Sequence, residues 1–368
     1  MKLALLGDIS FDGSFDIVKN PKVKENLSEV ASYLKNFDLV CCNLESPFTI
    51  DFHKGPAKSA YLGCHPENVS LLKYLNIGIC NLANNHMMDY GTEGCKLTEE
   101  ILQSAGILYF GMNDNGYVIN IQDCSLEFNG YCCYSSNPGL YRKSPWGGVN
   151  VLNINTLRKF IQGAAQRSNI PVISIHAGIE HVNYPDISNI MWSRKFAEIV
   201  PYIYYGHHPH VLQGLEMYKD SLIAHSLGNF IFSDVLDDNG QIKVKMTENN
   251  RMSAILEIEI MFNKILNYRL CPIRIGEGKI DLLDYDSFSS EVYDFSEALS
   301  NPLQYLAKRH NLINNRIKER RRLRDFKWIV QHLSFRYAKL LLDMKRNKYS
   351  YKTNVLKQLD NNHLIQGK

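Results

Sequence analysis

Apolar residues along this chain come in short runs, and each run closes on a side chain able to hold a cation or move a proton. Leu3–Leu6 leads to Gly7-Asp8, and Leu39-Val40-Cys41-Cys42 leads to Asn43-Leu44-Glu45. The run 77–82 leads to Asn84-Asn85-His86, Val172–Ile175 to His176, and 202–205 to Gly206-His207-His208-Pro209-His210. Runs of this length, bounded by polar residues, predict buried strands. Helical spacing fills the gaps near 23–36, 66–75, 92–105, 153–168 and 189–200. Alternation of this kind predicts a mostly parallel sheet covered on both faces, whose site lies at the carboxyl ends of its strands. The stretch 107–136 reads as shorter, more antiparallel strands, with further strands near 211–217 and 221–226 and a hairpin over 252–275. Residues 47–65 mix Pro, Gly, His and Lys and read as a loop over the site.

After about residue 280 strand signals fade and helix formers dominate. A boundary near 276–288 therefore divides the chain into 1–275 and a mainly helical extension, 276–368. The net charge of +3 hides an uneven distribution. Residues 316–352 carry thirteen Lys/Arg against three acids, net +10, which leaves −7 on the remainder. Within that basic stretch Ile329, Leu333, Tyr337, Leu340 and Leu341 recur at helical spacing, with Arg336, Lys339 and Lys345 between them. Such a helix either packs on the body with a solvated basic face or lies on an anionic membrane. Nucleic acid is not expected, because no glycine-rich phosphate loop, zinc knuckle or RNA-binding aromatic signature is present.

The nine cysteines show no CxxC spacing, and the adjacent pairs Cys41-Cys42 and Cys132-Cys133 fall within apolar runs. They read as buried reduced thiols, which suggests a reducing compartment. The opening segment is too short and too charged for a secretory leader. No apolar stretch reaches the roughly 18 residues of a spanning helix. The expected location is cytoplasmic, free or at the inner membrane face.

The strand-exit residues have a chemical logic. Asp8 and Glu45 are hard anionic ligands, and two divalent ions need at least one shared carboxylate, a role open to Glu45. Asn85 offers a neutral amide oxygen, His176 a nitrogen, and His208 and His210 a pair on alternate positions. An extended His208-Pro209-His210 would aim both imidazoles the same way, and Pro209 favours extension of the residue before it. His86 is then available as a general acid, with Asp89 three residues on to orient it.

Together, Gly7-Asp8, Asn43-Leu44-Glu45, Asn84-Asn85-His86-x-x-Asp89-Tyr90-Gly91, His176-x-Gly178-x-Glu180, His208-Pro209-His210-Val211 with Gln213, and Ser226-Leu227-Gly228-Asn229-Phe230 resemble the CapA family over roughly residues 1–275. The resemblance implies a four-layer α/β/β/α sandwich like that of calcineurin-type metallophosphoesterases, with two metal ions (Mn, Fe or Zn) between the sheets. By the same resemblance Asp8 and His210 would hold one ion, Asn85, His176 and His208 the other, and Glu45 would bridge. His86 would be the catalytic acid. Glu180 and Asn229 would lie in an outer shell or contact substrate, with His207 placed beside them on the substrate side. Ser10 stands where generic metallophosphoesterases carry a His, so one ion would be held less firmly.

Two functions follow as expectations. One is a metal-dependent hydrolase or transferase in assembly of capsule, poly-γ-glutamate or another surface polysaccharide. It would act on a phosphate, ester or amide bond of an anionic polymer or a phosphorylated, lipid-linked glycan precursor. The other is a non-catalytic assembly subunit that binds such a polymer or precursor and docks a membrane synthase through its basic extension.

Overall fold

The strands alternate their burial in two directions, and that alternation builds the molecule. The computed structural model describes residues 1–368 except 52, 54–57, 59, 115, 137–147, 237–239, 286–288, 323–334 and 362–368. The strands are β1 (Lys2–Ile9), β2 (Leu39–Leu44), β3 (Ile79–Asn81), β4 (Leu108–Phe110), β5 (Tyr117–Ile121), β6 (Cys124–Cys132), β7 (Ile170–His176), β8 (Ile203–His207), β9 (Leu215–Tyr218), β10 (Ser221–Ala224), β11 (Asn229–Ile231), β12 (Val235–Leu236), β13 (Ile242–Val244), β14 (Met252–Met261), β15 (Lys264–Ile275) and β16 (Ile280–Leu282). One sheet of eight strands runs β16-β15-β14-β1-β2-β3-β4, with β11 paired to β1. A second, of six, runs β5-β6-β7-β8-β10-β9.

The helices are α1 (Val23–Asn26), α2 (Ser28–Leu34), α3 (Val69–Tyr74), α4 (Gly91–Ser104), α5 (Ile154–Gln166), α6 (Ile187–Ala197), α7 (Glu248–Arg251), α8 (Ser289–Ala298), α9 (Pro302–Arg322), α10 (Phe335–Tyr351) and α11 (Lys357–Asn361). Successive strand residues point to opposite faces. Leu3 and Leu5 of β1 therefore meet Val172, Ile203 and Tyr205 of the second sheet in one core. Ala4 and Leu6 turn the other way, toward α1–α4. On the far side, Ile173 and Ile175 of β7 pack against Trp192 and Phe196 of α6 and Leu157 of α5. The result is a four-layer α/β/β/α sandwich. Cys41 and Cys42 divide the same way, one into each core, and all nine cysteines are free thiols, eight of them buried.

Two readings of the pattern are corrected. A single sheet covered by helices on both faces is replaced by two sheets, each with one face on the other sheet and one on helices. Periodicity reports that a strand is buried on both faces but not what buries it. Residues 107–136 also divide. β4 joins the first sheet parallel to β3, β5 pairs antiparallel to β6, and β6 runs parallel to β7.

The C-terminal helices pack on the body. Val355 and Leu359 are buried in the core under α5 and α6, the Tyr351 and Ser188 hydroxyls lie 2.6 Å apart, and Asn354 donates to the Tyr134 hydroxyl at 2.9 Å. Along α10, Leu341 and Leu342 are exposed. Ile329 and Leu333, read above as part of an amphipathic face, lie outside the described residues. Among the described residues no helix is long and apolar enough to cross a membrane.

Candidate metal centre

The site forms where parallel strands of both sheets end side by side. Asp8 is the next-to-last residue of β1, and Glu45 follows β2 directly. Asn84–His86 follows β3, His176 ends β7, and His207 ends β8. Gly7 makes the junction possible, because a β-carbon there would collide with the Gly228 carbonyl. That approach lets the Asp8 amide donate to Gly228 O at 3.0 Å and sets Asp8 opposite Asn229.

Glu45 sits at the centre. Its Oε1 lies 3.7 Å from His210 Nε2, 3.8 Å from His176 Nε2 and 3.8 Å from His86 Nε2. Neither Glu45 oxygen has a hydrogen-bond partner, although the side chain is fully buried. Ligand atoms of Asp8, Glu45 and His210 all fall within 4.8 Å of one another. Asn85 Oδ1 lies 2.7 Å from His176 Nε2. The His176 ring is 4.8 Å from that of His208, centre to centre. The structure thus brings Asp8, Glu45 and His210 together, with His176 beside Glu45 and Asn85 and His208 beside His176.

A surrounding layer holds these groups. Asn43 donates to Asp8 Oδ1 at 2.8 Å, and Asn81 donates to Asn43 Oδ1 at 2.9 Å. Asn84 accepts from the amides of His86 and Met87 and donates to Leu44 O. Asn229 Oδ1 lies 2.8 Å from His210 Nδ1, which fixes that ring with Nε2 toward Glu45. Asn229 is therefore an orienting group for His210. His207 is fully buried, its Nδ1 2.8 Å from Asp8 Oδ1. It sits directly behind the Asp8 carboxylate. Glu180 stands at the rim, paired with Arg316 of α9.

The two histidines of the His208-Pro209-His210 segment converge by another route than the one expected. His208 has φ 93° and His210 φ 56°, so the segment is a tight left-handed turn and not an extended strand. Non-glycine residues resist that conformation. Asp8 holds it in place, its Oδ2 accepting from the His208 amide at 3.2 Å. The His181 amide adds a bond to Pro209 O at 2.7 Å.

His86 Nδ1 lies 2.6 Å from Asp89 Oδ2. Lys58, unremarked among the polar residues of 47–65, enters from that loop. Its ammonium donates to Asn85 O at 2.7 Å, pairs with Asp89 and lies 3.1 Å from His86 Nδ1. A lone lysine in an irregular loop carries no periodic signal that marks it. Asn250, which donates to His210 O and accepts from Asn229, was equally unmarked.

Electrostatics separate these groups. Burial pushes the Glu45 carboxyl well above the usual carboxylate range, and the Asp8 charge pushes the same way. Burial alone would raise Asp8 too, but His207, His210 and Asn43 outweigh it and hold that carboxyl below its ordinary value. Burial, then the neighbouring imidazoles, holds His176 well below the usual histidine range. His208 is pushed down to about 3, chiefly by burial, with Glu180 and Asp8 opposing. Burial and then the Lys58 ammonium depress His86. His86, His176 and His208 are thus held toward their neutral forms, and the buried Glu45 carboxyl has no hydrogen-bond partner. That donor set suits a borderline divalent cation bound by N and O ligands.

Residues 2–234 match the model of the family described as bacterial capsule synthesis protein PGA_cap. The chain belongs to the PGA_cap family. It is 28% identical over 292 residues to the capsule biosynthesis protein CapA of Bacillus anthracis, covering 76% of this chain and 68% of that protein. It is 29% identical over 290 residues to the PGA biosynthesis protein CapA of Bacillus subtilis strain 168, covering 76% and 72%. Among solved structures it is similar to the NAD nucleotidase of Haemophilus influenzae, with TM-score 0.42, 14% identity and coverage of 89% of this chain and 68% of that one. All six of these residues, Asp8, Glu45, Asn85, His176, His208 and His210, lie within the PGA_cap match, whereas α8–α11 lie beyond it.

Proposed function

We propose that this PGA_cap protein is a metal-dependent hydrolase or transferase in assembly of a bacterial capsule or poly-γ-glutamate polymer, acting on a phosphate, ester or amide bond of an anionic substrate. The observation that carries this reading is Glu45, a fully buried carboxylate with both oxygens unpartnered and three imidazoles within 3.8 Å. Uncompensated burial of a carboxylate is costly, and a cation resolves it. Asp8 and His210 would hold one ion, Asn85, His176 and His208 a second, and Glu45 would join them. Such ions, when bound, activate water and polarise a substrate oxygen.

The remaining work falls to the chain itself. His86 turns Nε2 toward the centre, and in its doubly protonated form it would pass the Nε2 proton to the leaving group and return to the neutral ring. Asp89 fixes its ring through Nδ1, and Lys58 in turn fixes Asp89. Strand packing on both sides keeps bulk water from these groups, so charges act at full strength.

The test is elemental analysis of the purified protein together with turnover of an aryl phosphate. The proposal expects bound Mn, Fe or Zn and chelator-sensitive activity. His86→Ala should lower turnover by about 100-fold or more while leaving metal content unchanged. Activity that survives in that variant removes His86 from its role. Metal without turnover on any substrate favours the assembly-subunit reading, for which Ser10 is the supporting observation. Its hydroxyl pairs with Asp12 at the place where the generic site has a histidine.

A further inference from the structure

The helix α9 lies outside the family match, yet one of its side chains reaches Glu180 at the rim of the candidate metal centre. One face of α9 carries Tyr305, Arg309, Leu312, Ile313 and Arg316, the spacing of a single helical stripe. Tyr305 is buried in a cluster with Val182, Tyr184 and Ile190, against which Leu312 and Ile313 pack. Arg309 donates to Pro185 O at 3.1 Å and pairs with Asp186. The stripe thus lies along the segment that follows β7, and its far end places Arg316 on Glu180, four residues past His176. That segment is tied to the histidine turn through the His181 amide and Pro209 O. The Arg316 side chain is only 16% exposed; Glu180 lies within electrostatic reach of His208, His210 and His181, and Arg316 within reach of Glu180 and His181.

Docking of α9 does not account for this position. Tyr305, Leu312, Ile313 and Arg309 already anchor the helix. Glu180, Arg316's ion-pair partner, is itself within electrostatic reach of His208 and His210, so the pair stands next to the histidine turn. Arginine remains charged at any working pH, and its planar fork matches an oxyanion in two contacts.

We infer that Arg316 is a specificity-determining residue, supplied by the C-terminal extension, that binds an oxyanion of the substrate, phosphoryl or carboxylate, between α9 and the metal centre. The inference deepens the reading of the site as a metal centre and rests on it. Glu180 acts as the positioning residue that sets the guanidinium plane. The extension is then part of the active site and not an appendage to it.

The test uses the full chain and three variants, Arg316→Gln, Arg316→Lys and Arg309→Gln. Binding of inorganic phosphate and of succinate is measured by calorimetry on manganese-loaded and on chelated protein, with metal content recorded for each. Arg316→Gln should weaken the bound anion roughly 10- to 100-fold, the range of a charge-assisted contact. Arg316→Lys should restore part of that loss, and Arg309→Gln should leave binding near wild type. The anion that shows the loss identifies the group recognised. Equal binding by wild type and Arg316→Gln overturns the inference. So does an equal loss in Arg309→Gln, which would trace the effect to helix docking. If wild type takes up no metal, the metal-centre reading fails by itself, and the chelated samples then decide Arg316. Phosphate or succinate held by wild type and lost in Arg316→Gln sustains its role, while no difference ends it.

Discussion

At the scale of single residues, one carboxylate sets the terms for its neighbours. Glu45 is raised well above its ordinary range first by burial and then by Asp8. A carboxyl raised in the folded state adds stability below its unfolded value, near 4.5, and that contribution is lost as pH climbs through the folded value. Metal-free protein should therefore become less stable above pH 4.5 on account of Glu45. Glu45→Gln should flatten this slope and raise the melting temperature of chelated protein while lowering metal affinity at least about 10-fold. Melting curves against pH, with and without chelator, check both halves. His208 works in the opposite sense. Held at about 3, it adds stability above its unfolded value near 6.5 and loses it as pH falls toward 3. The residues that meet here were legible in the sequence as a group because most of them follow an apolar run. Lys58 and Asn250 were not, since a contact made across the fold leaves no local periodicity. The left-handed turn at His208 and His210 was missed because Pro209 argues for extension, and only the Asp8 carboxylate, distant in sequence, explains why extension loses.

At the scale of elements, the site depends on strands ending level with one another. β8 lies between β7 and β10, and its Gly206 faces the backbone of His225 so closely that a β-carbon would collide with that carbonyl. Backbone cannot move aside as a side chain can. Gly206→Ala should cost about 2–3 kcal/mol and shift His207 and His208 enough to weaken metal retention. Denaturant unfolding and metal analysis of the same samples check this, and an unperturbed variant would show that β8 has room to spare. Strand positions were readable from short apolar runs, and their exits pointed to the site. The division into two sheets was not readable from those runs, because a buried strand has the same composition whether its cover is a helix or another sheet. The pairing of β4 with β3 depends on a crossover through α4, which local pattern does not encode.

At the scale of the whole molecule, the chain closes on itself twice. Val355 and Leu359 fill a core begun by α5, so the final described turn belongs to the outer layer of the second sheet. Leu359→Ala should destabilise the entire protein by about 2–4 kcal/mol in one cooperative transition. A separate early transition confined to the last helices would show instead that they fold independently. The first strand closes the other loop. Leu5 of β1 pairs with Leu256 of β14, 251 positions onward. Ribosomes add about 5–20 residues each second, so roughly 10–50 s of synthesis passes before that partner emerges. Throughout that interval one edge of the future central strand is bare, and bare edges recruit other chains. Overproduction at lower temperature, or with holdase chaperones in excess, is the regime in which this topology should yield the most native protein.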